Sequence, residues 1–493
     1  MPRRHLQGTS FDRAGRRRPG HLMRHILPLY LTVLLVGIAG CEDGGVTIVE
    51  EDLDGTLREA LLTGAGGEGL THFTMPVAGD LAGIPQDPRN PLTEAKVELG
   101  KVLFHETALA RNPVQQGAVG TYSCSSCHHA AAGFQAAVPQ GLGEGGVGFG
   151  RYGERRRLAP GYISADADIQ PIRSPSAING AWQEAHLWNG QFGATGVNAG
   201  TEALWTPDTP IANNALGYEG LETQAIAALT VHRMQDGPKH VVETIPEYRA
   251  LFDAAFGDWP AETRVGVETA GLAIAAYERT LLANEAPFQR WLRGDSDAMT
   301  QAQKRGAIVF FGKGDCTTCH TGPSLASMSF HALGMGELEG PGVVSDFNRD
   351  DPVHLGRGSF TKRTEDAYTF KTPQLYNLAD HVFFGHGVTF NSIREVVEYK
   401  NAAVPQSRIV PADRISPHFR PLELTGDEID DLTTFLERGL YDPDLARYLP
   451  TRLPSGFCFP NNDEESRRDL GCVGENAVPS AIAPLGIATG FAR

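Results

Sequence analysis

Two Cys-x-x-Cys-His runs stand in this chain: Cys124-Ser125-Ser126-Cys127-His128 and Cys316-Thr317-Thr318-Cys319-His320. That order of residues suits one chemistry. Two thiols add across the two vinyl groups of a haem, and the histidine that follows is brought under the iron as proximal ligand. The competing chemistry is zinc, which needs four converging ligands, usually paired CxxC units or nearby His pairs. Here the runs start 192 residues apart and each is complete by itself. The reading is two covalent c-type haems. Cys124, Cys127, Cys316 and Cys319 are the attachment points; His128 and His320 are the proximal ligands. His129 is excluded from that role, because the residue directly after the second Cys is the one tethered under the ring.

Seven cysteines are present, and the haem pairs use four. Cys41 ends Ile38-Ala39-Gly40-Cys41, after Met23-Arg24-His25 and an apolar run from Ile26 to Gly40. The run is short for a membrane span and fits a signal h-region. Its end resembles a bacterial lipobox, so Cys41 is expected to carry lipid; a plain secretory signal with a chance cysteine is the alternative. Translation starting at Met23 would account for the Arg-rich stretch before it. Glu42 slightly favours the outer membrane as the anchoring site. Cys458 and Cys472 remain. In an exported chain they can form a disulfide, contributing about 3 kcal/mol on the loop-entropy account; two free thiols is the other possibility.

The formal charge is −16, and the first 40 residues hold seven Arg and one Asp, leaving about −22 on the rest. Such acidity argues against nucleic acid and against an anionic membrane surface. It suits a small basic cytochrome as partner, or simply keeps the protein soluble. The 57 glycines and 32 prolines predict long irregular connections between elements.

Periodicity supplies helices and no strand of any length. An amphipathic helix over 92–104 leads towards the first motif, and further helices are expected over 221–234 and 265–283. Leu272, Tyr277 and Leu281 stand among small residues in the last of these, which can therefore pack closely. Thr300 caps a helix through Phe311 into the second motif. Thr425 and Glu428 form a capping box for a helix to Leu436, with Gly439 as a stop. Residues 42–75 read as an acidic, Gly-rich tether. The glycines from Gly141 to Gly150 read as a mobile loop, and Arg155-Arg156-Arg157 as a solvated charge run or as partners of haem propionates. The fold class is mainly α: two cytochrome c-like helical haem domains packed together, with long irregular loops. The expected division is a lipoprotein-type signal at 1–40, a tether at 41–75, an N-terminal haem domain at 76–255, a C-terminal haem domain at 256–445 and a disulfide-bearing tail at 446–493.

Ala273 to Leu281, Pro287-Phe288, Gly294-Asp295, the run Leu99 to Phe104 and the run Phe370 to Asn377 are similar to segments of the bacterial dihaem cytochrome c peroxidases and their MauG-type relatives. The resemblance spans about residues 90–440. It implies that the C-terminal haem takes in electrons and the N-terminal haem reduces peroxide. Ser174-Pro175-Ser176 to Trp188-Asn189-Gly190 resembles the family segment that places a tryptophan between the haems, so Trp188 is an electron relay or a core residue.

Four departures from the family pattern stand out. The family's distal Glu is absent after Leu221-Glu222-Thr223-Gln224-Ala225. His232 is the nearest acid–base candidate, with Arg233 as a charge stabiliser and Glu219 as a more distant fallback. No His lies between His129 and His186, so the family's gating His is missing and a five-coordinate first haem is expected. An ungapped match puts Lys400, with neighbour Tyr399, at the far ligand of the second haem; Met335 and Met328 are other candidates, and a plain helix-surface pair is the bland reading. The family's interdomain calcium maps to Arg173, His381 and Phe383; a cation at the first position is unfavourable for Ca²⁺, and backbone carbonyls are the means by which a calcium site stays open there.

The leading functional expectation is a periplasmic dihaem peroxidase that takes electrons from a cytochrome donor and reduces hydrogen peroxide. A MauG-type oxidase acting on a protein residue, and a non-enzymatic dihaem electron carrier, are the competing readings.

Overall fold

The computed structural model describes residues 52–472; the signal segment and Cys41 lie outside them. The helices, in chain order, are α1 (Leu53–Gly64), α2 (Glu94–His105), α3 (Gly220–Val231), α4 (Gly237–Thr244), α5 (Pro246–Ala255), α6 (Val267–Arg279), α7 (Pro287–Leu292), α8 (Gln301–Phe311), α9 (Arg357–Thr361), α10 (Ile393–Ala402), α11 (Gly426–Thr434) and α12 (Glu464–Asp469). Strands β1 (Gly146–Val147) and β2 (Arg157–Leu158) pair antiparallel, as do β3 (Phe330–His331) and β4 (Phe370–Lys371). The remainder of the described chain is loops, short 3-10 turns and one π-helical turn at Phe435–Gly439 that continues α11.

The same construction appears before each motif. Thr93 caps α2 by accepting from the Lys96 N–H, and Leu99, Val102 and Leu103 bury one face. Gly100 lets α6 cross so closely that a Cβ there would stand 1.8 Å from the Ala273 carbonyl oxygen. Thr300 and Gln303 form a capping box on α8, and Gly306 plays the same part against α11, where a Cβ would stand 2.0 Å from the Asp431 carbonyl oxygen. In each case one helix leads into the CxxCH turn and a later helix crosses it at a glycine. α6 packs on α2 and α3, so it belongs by packing with the N-terminal elements, although the expected boundary at 255/256 put it in the C-terminal half.

Three other expectations change. The stretch expected as a tether holds α1 from residue 53 on. Leu53, Leu57 and Leu61 recur at helical spacing and are buried, and Asp54 accepts from Trp291 Nε1 at 2.6 Å and from Lys304. Glycine content masked that periodicity. The glycine loop is fastened: the Phe149 and Gly150 N–H groups donate to Asp469 at 2.9 and 2.7 Å. Of the three arginines, Arg155 and Arg157 are exposed as a solvated run requires, and Arg156 is not. Arg156 is buried on the Leu142 and Gly143 carbonyls, and Arg155 and Arg157 pair with Asp469 and Glu465 of α12. Their partners lie some 300 residues on, beyond the reach of a local reading.

Cys458 and Cys472 are joined by a disulfide, with Cα atoms 6.1 Å apart. They cluster with Phe149 and Leu470. The tail reaches the first motif through the Pro460 carbonyl, which accepts from Ser123 and Ser126 at 2.9 and 3.2 Å. No helix among the described residues is long and apolar enough to cross a membrane.

Candidate haem sites

Each proximal-histidine candidate is held by main chain. His128 Nδ1 lies 3.3 Å from the Phe134 carbonyl oxygen, and His320 Nδ1 lies 2.9 Å from that of Leu325. Both carbonyls come from residues in the left-handed region, with φ 53° and 49°. A bond at Nδ1 fixes the tautomer and leaves Nε2 free to ligate. Burial keeps both imidazoles neutral, with pKa values pushed down to about 4, and a metal needs the neutral ring. Cys124, Cys127, Cys316 and Cys319 take part in no disulfide. These are the features a covalent c-type haem requires of its attachment turn, and the residues fit the group at both motifs. His129, by contrast, points into the glycine loop: Nε2 meets the Tyr152 carbonyl oxygen at 2.8 Å and the ring packs edge-on to Phe149.

Behind each histidine runs a repeated segment. Arg173-Ser174-Pro175 with Asn179 matches Lys371-Thr372-Pro373 with Asn377. Both asparagines are left-handed, at φ 59° and 53°, and each opens a 3-10 turn. The Pro175 and Pro373 backbones face His128 and His320 respectively. The two segments also cross-link the halves: the Lys371 N–H donates to the Trp188 carbonyl at 2.8 Å, and the Arg173 N–H to that of His386 at 3.1 Å. The repeat leaves little trace in the sequence. Its trace is short, [RK]-[ST]-Pro-x-x-x-Asn, and only the paired backbone geometry makes it significant.

On the first site, His232 ends α3 and its Nδ1 meets Asp168 Oδ2 at 2.8 Å. Asp168 is buried, while about a third of the His232 side chain remains open. Burial disfavours the imidazolium, yet the Asp168 carboxylate outweighs it and the His232 pKa is raised. His232 lies near enough to His128 to influence its titration, as Asp168 does that of Cys124 and Cys127. Arg233, at φ 59°, turns to the fully buried Glu144, which also accepts from Tyr162 at 3.1 Å. Its charge is therefore already engaged. Glu219 is engaged too, by Arg279 at 2.9 Å in a buried group with Glu222. Asp168, Glu144 and Glu278 were missed in the sequence. Glu278 is buried, its Oε2 has no partner, and burial raises its pKa to about 8. Asp168 and Glu144 each lie far along the chain from the residue they pair with and no local signal marks them, whereas Glu278 stands inside the run Ala273 to Leu281.

On the second site a cavity of about 290 Å³ is lined by Cys316, Cys319, His320, Met335, Lys400 and Trp188 among others. Burial pushes the Lys400 ammonium down to about 8, which favours the neutral amine that a ligand must be. Tyr399 does not line this cavity. Its hydroxyl donates to the Leu333 carbonyl at 2.6 Å and its ring packs on Phe390 and Phe419. Burial holds it as a neutral phenol, with a pKa of about 12. Adjacent helix positions point about 100° apart, so one of the two had to turn away. Met328 is also absent from the lining. Trp188 lies edge-on to His386 at 6.2 Å and donates from Nε1 to the Arg173 carbonyl at 2.8 Å.

The positions equivalent to a calcium site do not suit the ion. Arg173 is a buried cation there, and the His381 Nε2 beside it has no partner. Among the described residues no cluster of His, Cys, Asp or Glu is placed to hold a metal.

Residues 94–297 match the family model described as di-haem cytochrome c peroxidase. The chain is 29% identical over 356 residues to the methylamine utilization protein MauG of Methylorubrum extorquens, covering 72% of this chain and 80% of that one. It is 26% identical over 323 residues to the cytochrome c551 peroxidase of Pseudomonas aeruginosa, covering 66% and 76%. A solved MauG-like protein associated with microbial copper homeostasis shares the fold, with a TM-score of 0.53 at 22% identity over 74% of this chain and 95% of that one.

Proposed function

We propose that this chain, which is similar to the dihaem cytochrome c peroxidases and MauG proteins and carries two covalent c-type haems, is a periplasmic peroxidase that reduces hydrogen peroxide to water with electrons from a small cytochrome. The observation that carries this reading is the His232–Asp168 pair beside the first motif. When bound, the haems supply the iron and the electrons that cleave the peroxide oxygen–oxygen bond. The chain supplies the proton chemistry. Asp168 holds His232 by Nδ1, so Nε2 is the atom that takes a proton from peroxide and returns it to the leaving oxygen. Glu144 keeps the Arg233 guanidinium ordered at the end of α3. Trp188, fixed by the Arg173 carbonyl, offers an aromatic bridge between the halves. Lys400 or Met335, which line the second cavity with His320, would help hold the haem there as a nitrogen or sulfur donor. Cys41 carries the lipid that tethers the protein to the membrane, with the outer membrane favoured.

Steady-state turnover of peroxide with reduced cytochrome c tests the proposal. His232→Ala should lose about 100-fold or more in reaction with peroxide, the usual worth of a positioned acid–base group; a variant as fast as the parent removes His232 from the mechanism. A second reading, an oxidase that acts on a residue of another protein, is favoured by the presence of Lys400 at the second site and by the similarity to the MauG relative. Sustained turnover with cytochrome c as sole reductant separates the two.

A further inference from the structure

Two cations are buried between the repeated halves without a counter-charge. Arg173 is 2% exposed and Lys371 8%. They occupy the same position of the repeat, one in each half. Both line the cavity that Trp188, Cys316, Cys319 and His320 line. Their backbones are fixed by the crossed main-chain bonds to His386 and Trp188. Arg173 Nη2 donates to Gln135 Oε1 at 2.5 Å, and its Nε has no partner. Lys371 Nζ meets only Gln183 Oε1, across the junction. Burial alone lowers both pKa values, and no carboxylate among the described residues pairs with either.

A buried charge without a partner is strongly unfavourable. These two are pinned in place by main chain, so the fold holds them there for an anion. The chain's own cofactors bring carboxylates: each haem carries two propionates. A divalent cation at the same junction would instead be repelled by both side chains. We infer that Arg173 and Lys371 receive haem propionate carboxylates at the junction of the halves and take the place of a divalent ion there. The inference rests on the two attached haems and is independent of the peroxidase reading.

The test uses the purified full-length dihaem protein. Its calcium content is measured by elemental mass spectrometry. Midpoint potentials of both haems come from spectroelectrochemical titration, with and without a calcium chelator. The protein should hold no calcium, and the chelator should leave both potentials unchanged. Arg173→Gln and Lys371→Gln each remove a positive charge from beside a haem, which disfavours the ferrous state. Each should shift the reduction equilibrium of one haem about tenfold towards ferric, about 59 mV for one electron. Arg173→Lys should keep the parent value. Should Arg173→Gln fail to incorporate haem, the Lys371 variant and the chelator arm still decide. Stoichiometric calcium whose removal shifts a potential overturns the inference, as do Gln variants with parental potentials.

Discussion

His232 carries the proton argument, and its pH behaviour follows from Asp168. The carboxylate raises the imidazole pKa, so the neutral form that accepts a proton prevails only above that raised value. The rate with peroxide should therefore rise with pH through the His232 pKa. Asp168→Asn removes the charge, and the inflection should move to lower pH in a stopped-flow profile; an unmoved inflection shows that Asp168 does not set it. Lys400 makes a separate prediction. If its amine ligates the second haem, Lys400→Met exchanges a nitrogen for a sulfur ligand and should raise the midpoint potential, because a thioether favours the ferrous state. A parental potential and spectrum would leave Met335 as the ligand. The CxxCH residues were legible from sequence because their spacing is the chemistry. Tyr399 was not separable from Lys400, since only the helix phase decides which of two neighbours faces the cavity.

At the scale of elements, the glycine crossings position the motifs. A methyl at Gly100 would stand 1.8 Å from a main-chain oxygen of α6, and backbone has little room to yield. Gly100→Ala should lower stability by about 1–3 kcal/mol, the usual cost of overpacking, measured as a shift in denaturant midpoint at constant slope. The tail gives a further test. Cys458→Ser with Cys472→Ser should cost about 3 kcal/mol and loosen the strap over Ser123 and Ser126, read as faster amide exchange in the first motif. Unchanged exchange would show the strap to be passive. Helices α2, α3, α6, α8 and α11 were legible from their caps and apolar spacing. Helix α1 was hidden by glycine-rich neighbours, and the fastening of the glycine loop by α12 depends on contacts some 300 residues apart, which periodicity does not encode.

Over the described residues as a whole, the repeat explains why the site lies where it does. Two similar segments, 173–179 and 371–377, each back one proximal histidine and cross-bond to the other half. The junction therefore collects Trp188, Arg173, His386 and Lys371 near both motifs. The helical class and the two haems could be read from the chain; the junction could not, because its pairings join residues of separate halves. The central claim is that the first haem meets peroxide with His232 beside it, in a site that no other histidine blocks. The most direct measurement mixes the resting, fully ferric protein with hydrogen peroxide in a stopped-flow instrument and follows the haem absorption. The account predicts a high-spin component at rest that reacts without prior reduction, and a reaction slowed about 100-fold or more by His232→Ala. A resting protein that is wholly low-spin and unreactive until reduced would contradict it.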